Sequence, residues 1–113
     1  MKKALTCALT VATLNVNAHT HDFATREVQV YADKSSHSFI LTNRNDLKTN
    51  FSVTIDSIEV GIVENLDKDE SVPITLELHA EPNSTETKRI CTFMQSYTPH
   101  QTRVCSLIIL SRL

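Results

Sequence analysis

Val72-Pro73-Ile74-Thr75-Leu76-Glu77-Leu78-His79-Ala80 (VPITLELHA) is the longest clean alternation in the chain. Apolar side chains recur at every second position, the period of a half-buried β-strand and not the 3.6-residue period of a helix. The same period recurs upstream. Val28, Val30 and Ala32 alternate with Glu27, Gln29 and Tyr31, and Phe39 and Leu41 alternate with Ser38, Ile40 and Thr42. Phe51, Val53 and Ile55 alternate with Ser52, Thr54 and Asp56. Ile58, Val60 and Ile62 continue on shifted parity, which places a turn or bulge near Asp56-Ser57, because one extra residue reverses the facing of a strand. Residues 88–95 and 102–109 supply two further runs.

The segments between the runs are turn chemistry. Asp33-Lys34-Ser35-Ser36, Asn43-Arg44-Asn45-Asp46, Asn65-Leu66-Asp67-Lys68-Asp69 and Pro82-Asn83-Ser84-Thr85 carry side chains that hydrogen-bond to nearby backbone. The chain contains one glycine, Gly61, so any positive φ in these turns falls to Asn and Asp. No run of ten or more residues carries a helical stripe. About seven short strands separated by turns predict an all-β fold, a single antiparallel β-sandwich of the immunoglobulin-like kind.

The last two runs can be set in register. Cys91 and Cys105 stand fourteen residues apart. If they face one another, Phe93 lies opposite Arg103, Arg89 lies opposite Leu107, and the turn centres near Thr98 beside Pro99. Cys91, Phe93, Cys105, Leu107 and Ile109 then share one face, and Ile90, Val104, Ile108 and Leu110 share the other. A strand that is apolar on both faces is central, or is an edge that a partner covers.

The first eighteen residues read as a secretory signal peptide. Lys2 and Lys3 form a positive n-region, Ala4 to Leu14 is an uncharged and mostly apolar stretch, and Val16-Asn17-Ala18 is a small-residue cleavage site. The expected division is therefore 1–18 signal peptide, 19–25 flexible N-terminus and 26–113 sandwich domain. Export to the bacterial periplasm or beyond the cell follows, and the cut leaves two cysteines, which favours a Cys91–Cys105 disulfide. The chain-entropy argument values a loop of that size at roughly 3 kcal/mol. Cleavage also leaves nine basic residues against thirteen acidic ones, a net charge near −4. That balance argues against nucleic acid and anionic membrane as partners. No apolar run after the signal approaches the ~20 residues of a membrane helix, so no membrane insertion of the mature chain is expected.

Val28 to Ile55 (VQVYADKSSHSFILTNRNDLKTNFSVTI) resembles the opening strands of the immunoglobulin-like domains of bacterial pilus assembly, in periplasmic chaperones and fimbrial subunits. The likeness lies in an early alternating strand, an apolar strand ending in Leu41-Thr42-Asn43, a polar turn, and the Phe51-x-Val53-x-Ile55 strand. It implies a binding or assembly role through protein contacts. It carries over no functional residue.

Cleavage after Ala18 would create the terminus His19-Thr20-His21-Asp22. A free amine, two amides and an imidazole at the third position form a square-planar nitrogen site suited to Cu(II) or Ni(II). His19 and His21 are therefore the candidate metal ligands. His37, His79 and His100 are not spaced as metal ligands. The acidic run Glu64–Glu70 reads as a solvated hairpin loop, because it lacks the glycine and distal glutamate of a helix–loop–helix calcium site. A single glycine rules out a glycine-rich phosphate loop, and the cysteines are too far apart for a C-x-x-C redox motif. The expected function is thus non-catalytic binding of a protein partner at exposed sheet edges, either Val28–Ala32 or Val104–Leu110, with Leu107 and Ile109 as contact residues. The alternatives are a small copper- or nickel-handling protein using His19 and His21, and a secreted inhibitor or effector presenting residues 96–101.

Overall fold

The computed structural model describes residues 19–95 and 102–113. The expected signal peptide, Cys7 and the 96–101 hairpin tip lie outside them.

The described residues form eight strands and no helix: β1 (Thr20–His21), β2 (Thr25–Val30), β3 (Lys34–Thr42), β4 (Thr49–Ile55), β5 (Ile58–Leu66), β6 (Ser71–His79), β7 (Ser84–Gln95) and β8 (Arg103–Arg112). They make two sheets, ordered β1-β3-β6 and β2-β8-β7-β4-β5. The sequence predicts about seven strands. The eighth is β1, inside a segment expected to be flexible. Residues 19–25 are instead built into both sheets, because His19 and Phe23 bury their rings there. The expectation of wholly antiparallel pairing also fails at one place: β2 runs parallel to β8, with Val28 opposite Leu110. Such a pair joins segments some eighty residues apart, and neither segment's own pattern encodes its direction.

Alternation explains the core. Phe39 and Leu41 of β3 and Leu76 and Leu78 of β6 face Phe51 and Val53 of β4, Ile90 of β7, and Ile108 and Leu110 of β8. The VPITLELHA stretch pairs along β3, with Val72 opposite Leu41 and Leu78 opposite Ser35. Pro73 is tolerated within it because β6 is an edge, where a missing N–H breaks no ladder.

The β7–β8 register is the one the cysteines require. Cys91 lies opposite Cys105, Phe93 opposite Arg103 and Arg89 opposite Leu107. The two sulfurs are bonded, with the Cα atoms 4.1 Å apart. The parity shift after Ile55 is a two-residue turn: Ile55 pairs with Ile58, and Asp56 and Ser57 take φ of 49° and 74°. Two successive positive φ values give a hairpin the twist its strands need. Asp56 is further held by Arg89, whose N–H donates to its Oδ1 at 2.9 Å. The other positive-φ residues are Asn65, Asp69 and Asn83, so Asn, Asp and Ser do the work that glycine usually does.

Asn43, fully buried at the end of β3, ties two loops together. Its Nδ2 donates to the carbonyls of Leu47 and Leu66, at 3.1 and 2.8 Å, and its Oδ1 accepts from Asn45 N–H at 2.8 Å. Around it, surface ion pairs Arg44–Asp69, Lys48–Asp67 and Lys68–Asp46 join the loops, and the acidic run is solvated as expected.

Candidate functional site

β1 and the residue before it carry His21 and His19 into the space between the sheets. Residues i and i+2 of a strand point the same way, so His19 and His21 share a face. Both reach one hydroxyl. Thr92 Oγ1 of β7 lies 2.8 Å from His19 Nε2 and 2.7 Å from His21 Nε2. The other nitrogen of His21, Nδ1, is 2.8 Å from Ser106 Oγ of β8. Aromatic rings line the rest: Phe51 beside His19 with centroids 4.6 Å apart, and Phe39 beside His21 at 4.8 Å.

The proton positions follow from the fixed acceptors at either end. Ser106 Oγ donates to the carbonyl of Phe23 at 2.7 Å. It therefore accepts from His21, whose proton sits on Nδ1. His21 Nε2 is then an acceptor and takes the Thr92 hydroxyl proton. His19 Nε2 also lies 3.1 Å from the Thr92 carbonyl, which can only accept, so this nitrogen carries the proton of His19. The result is a one-way chain from His19 through Thr92, His21 and Ser106 to the Phe23 carbonyl. Both imidazoles are neutral in it. The chain leaves one loose end, His19 Nδ1, which is buried without a hydrogen-bond partner.

Electrostatics agree with neutral rings. Burial, and secondarily the neighbouring His19, push His21 down from 6.5 to about 4, against a smaller opposing pull from Asp22. Burial also lowers His19, with the hydrogen bond to the Thr92 backbone acting the other way. His37 is lowered by burial and by Arg26. A buried charge on either ring of the pair would lack a counter-ion in contact with it.

The candidate metal ligands are thus placed inward. Both nitrogens of His21 are engaged in hydrogen bonds, and Thr20 and His21 lie in the β1–β3 ladder, opposite Thr42 and Leu41. No group of three or more His, Cys, Asp or Glu side chains converges as a metal site among the described residues. Nor is any helix among them long and apolar enough to cross a membrane.

Leu107 and Ile109 lie on the outer face of the five-stranded sheet and are half-buried. They do not sit on an edge. The expectation that the last strand offers a free edge is corrected here, because β8 is flanked by β7 on one side and by β2 on the other. The true edges of this sheet are β2 and β5. β2, the other expected edge, is short and carries Arg26 and Glu27.

The four lateral edges of the sandwich differ in protection. β6 has Pro73 in its middle. The open edge of β3 is closed by side chains: Arg26 donates to the Ser38 carbonyl at 2.9 Å, and Ile40 N–H donates to Asp22 Oδ1 at 2.8 Å. β5 has neither Pro nor Lys over its nine residues. On it Ile58, Val60 and Ile62 are 69%, 49% and 49% exposed, half of the six large hydrophobic side chains that are exposed among the described residues. Edges usually carry Lys, Pro or a bulge against unwanted pairing; β5 has two register shifts, opposite Thr49/Phe51 and Val53/Thr54, and the charges of Glu59 and Glu64. The sequence shows the apolar alternation of β5 but not that its outer side is unpaired.

No protein-family model matches the chain, and no curated protein is significantly similar to it.

Proposed function

We propose that this is an exported binding or assembly protein that acts by strand-edge contact with a protein partner and without catalysis. The observation that carries the reading is the β5 edge, which has neither Pro nor Lys and along which Ile58, Val60 and Ile62 are exposed. A partner strand added there would gain main-chain hydrogen bonds and cover aliphatic side chains, the two components of β-augmentation. Its side chains opposite Glu59 and Glu64 would be basic, by charge complementarity.

An immunoglobulin-like identity of the sandwich fits this role. A GFC-type sheet extended by a further strand beside β4 and facing a smaller sheet has the layout of the variable-type fold. The disulfide suits an oxidising compartment, as expected of a periplasmic or secreted protein. A pilus-type assembly module is the finer reading, resting on the likeness of residues 28–55.

The test is a pair of charge substitutions in a folded background. Val60→Lys with Ile62→Lys on β5 should abolish assembly or partner capture in the exporting cell. Leu107→Lys with Ile109→Lys tests the outer face in the same assay. Loss only with the second pair would move the contact from the edge to the face and refute the edge reading.

A further inference from the structure

The histidine chain closes the sandwich with very little chain. β1 is two residues long, and the segment holds to the sheets through the ladder to Leu41 and Thr42, the Asp22 bonds to Ile40 and the bonds of its two imidazoles. Within residues 19–22 the imidazole bonds are the ones that reach the opposite sheet, at Thr92 and Ser106, whereas Phe23 and Ala24 are tied to β8 by their carbonyls, which accept from Ser106 Oγ and Leu107 N–H. We propose that residues 19–22 form an acid-released latch, in which protonation of the His19–His21 pair frees them from both sheets while Phe23, Ala24 and the rest of the sandwich stay in place.

The geometry makes the chain intolerant of a proton. A proton added to His21 goes to Nε2, the nitrogen that accepts from Thr92. Thr92 Oγ1 then faces N–H donors from His21 and His19 at 2.7 and 2.8 Å, and its own proton loses its acceptor. Rotating the ring does not help, because Nδ1 is already a donor to Ser106 and protonation makes both nitrogens donors. A second proton, on His19 Nδ1, enters a buried position with no hydrogen-bond partner.

Among the charged side chains of the described residues only Asp22 favours a charge on the pair, and its pull on His21 is weaker than the burial that opposes it. β3 presents Phe39, β4 presents Phe51, β7 presents Thr92 and β8 presents Ser106, all uncharged. Within the segment itself, Phe23 flanks His21, and Arg26 of β2, the neighbouring cation, sits over the Phe23 ring at 4.3 Å. Asp22 is the anion nearest in sequence, and its carboxylate is held by Ile40 N–H. Burial accordingly disfavours the charged form of both rings. The core strands hold one lowered histidine, His37 of β3, but its ring bonds only to Ser35 of the same strand and ties no two sheets together; Phe39, Leu76, Leu78, Ile90 and Ile108 bury apolar side chains that no pH change alters. Release would bare the β3 edge at Leu41 and Thr42 and the rings of Phe39 and Phe51.

Hydrogen exchange on the purified protein, corrected for the intrinsic pH dependence of the rate, tests this directly. Between pH 7 and pH 4, amides of residues 19–22 should lose at least tenfold in protection while those of 72–80 keep theirs. The midpoint should coincide with the titration of the His21 ring followed by NMR. His21→Gln, which can accept from Thr92 and donate to Ser106 without titrating, should keep the segment protected at pH 4. Retention of wild-type protection at pH 4, or simultaneous loss at 19–22 and 72–80, would overturn the proposal. A midpoint detached from the His21 titration would do the same, whether or not the glutamine variant folds.

Discussion

His21 Nε2 stands 2.7 Å from Thr92 Oγ1, so a histidine near the start of the described chain and a hydroxyl on a central strand of the larger sheet share a proton-ordered contact. Thr92 itself is fully buried. The contact bridges the two sheets at a place where aliphatic packing would have been the simpler solution. Thr92→Val keeps the shape and removes the hydroxyl, leaving His21 Nε2 without its donor. The cost should be about 1–3 kcal/mol, the range for stranding a buried acceptor. Urea unfolding should show this as a lower midpoint with unchanged slope.

Stability should fall as the solution is acidified from near pH 6.5 toward pH 4. The folded His21 binds its proton only around pH 4, whereas an unfolded histidine binds one around 6.5. Between those values the unfolded chain holds more protons, so stability rises with pH and is complete above 6.5. One pKa unit corresponds to about 1.4 kcal/mol; with solvent screening of a half-buried ring, a total near 2 kcal/mol is reasonable. His21→Gln should flatten this part of the curve. His19 and His37, also lowered, lose their contributions in the same direction below pH 6.5, whereas Glu86 acts lower: the Glu81 N–H first, then Lys88, holds it near 2, and its contribution disappears only as pH falls below 4.5. Thermal melts at pH 7, 5.5, 4.5 and 3 separate the two windows.

Asn43 should be the costliest single polar residue to remove. Asn43→Ala leaves the Leu47 and Leu66 carbonyls and the Asn45 N–H without their partner at the junction of two loops. A loss of roughly 2–4 kcal/mol is expected from several broken buried bonds together with the space left behind. Chemical denaturation measures it, and a loss below about 1 kcal/mol would show that the loops hold without their tie.

Replacing both Cys91 and Cys105 by Ala should cost roughly 3 kcal/mol, mainly by lengthening the free unfolded chain. Arg89–Leu107 and Phe93–Arg103 pairing should survive in the variant, because the register also follows from the apolar face of Ile90, Ile108 and Leu110. Cross-strand nuclear Overhauser contacts check that directly.

Much of this fold is written locally. VPITLELHA is a strand on the core's edge because its alternation permits little else. Asp56-Ser57 is a turn because the parity changes there. Cys91 and Cys105 set their own register through geometry. What was not legible depends on contacts between distant segments. The parallel pairing of β2 with β8 leaves no mark in either strand, so of the two edges the sequence suggests, Val28–Ala32 falls on the edge strand β2, whereas Val104–Leu110 is interior and the second edge is β5. The burial of His19 and His21 was hidden for a similar reason: a polar terminus reads as solvated unless its partners are known. Two signs of those partners did exist. Thr92 falls in phase with Ile90 and Met94, and Ser106 in phase with Val104 and Ile108. A hydroxyl on a core-facing position of each central strand asks for a buried polar partner, and His-x-His on one face of a strand can supply it.

The central claim, that the β5 edge receives a protein strand, is tested most directly by site-specific photocross-linking in the exporting cell. A photoreactive residue is placed at Val60, and in separate variants at Thr75 on the Pro73-protected β6 edge and at Leu107 on the outer face. The account predicts one discrete protein adduct from Val60, absent from the other two positions and abolished by Ile62→Lys. Equal adducts from all three positions, or an adduct from Leu107 alone, would contradict it.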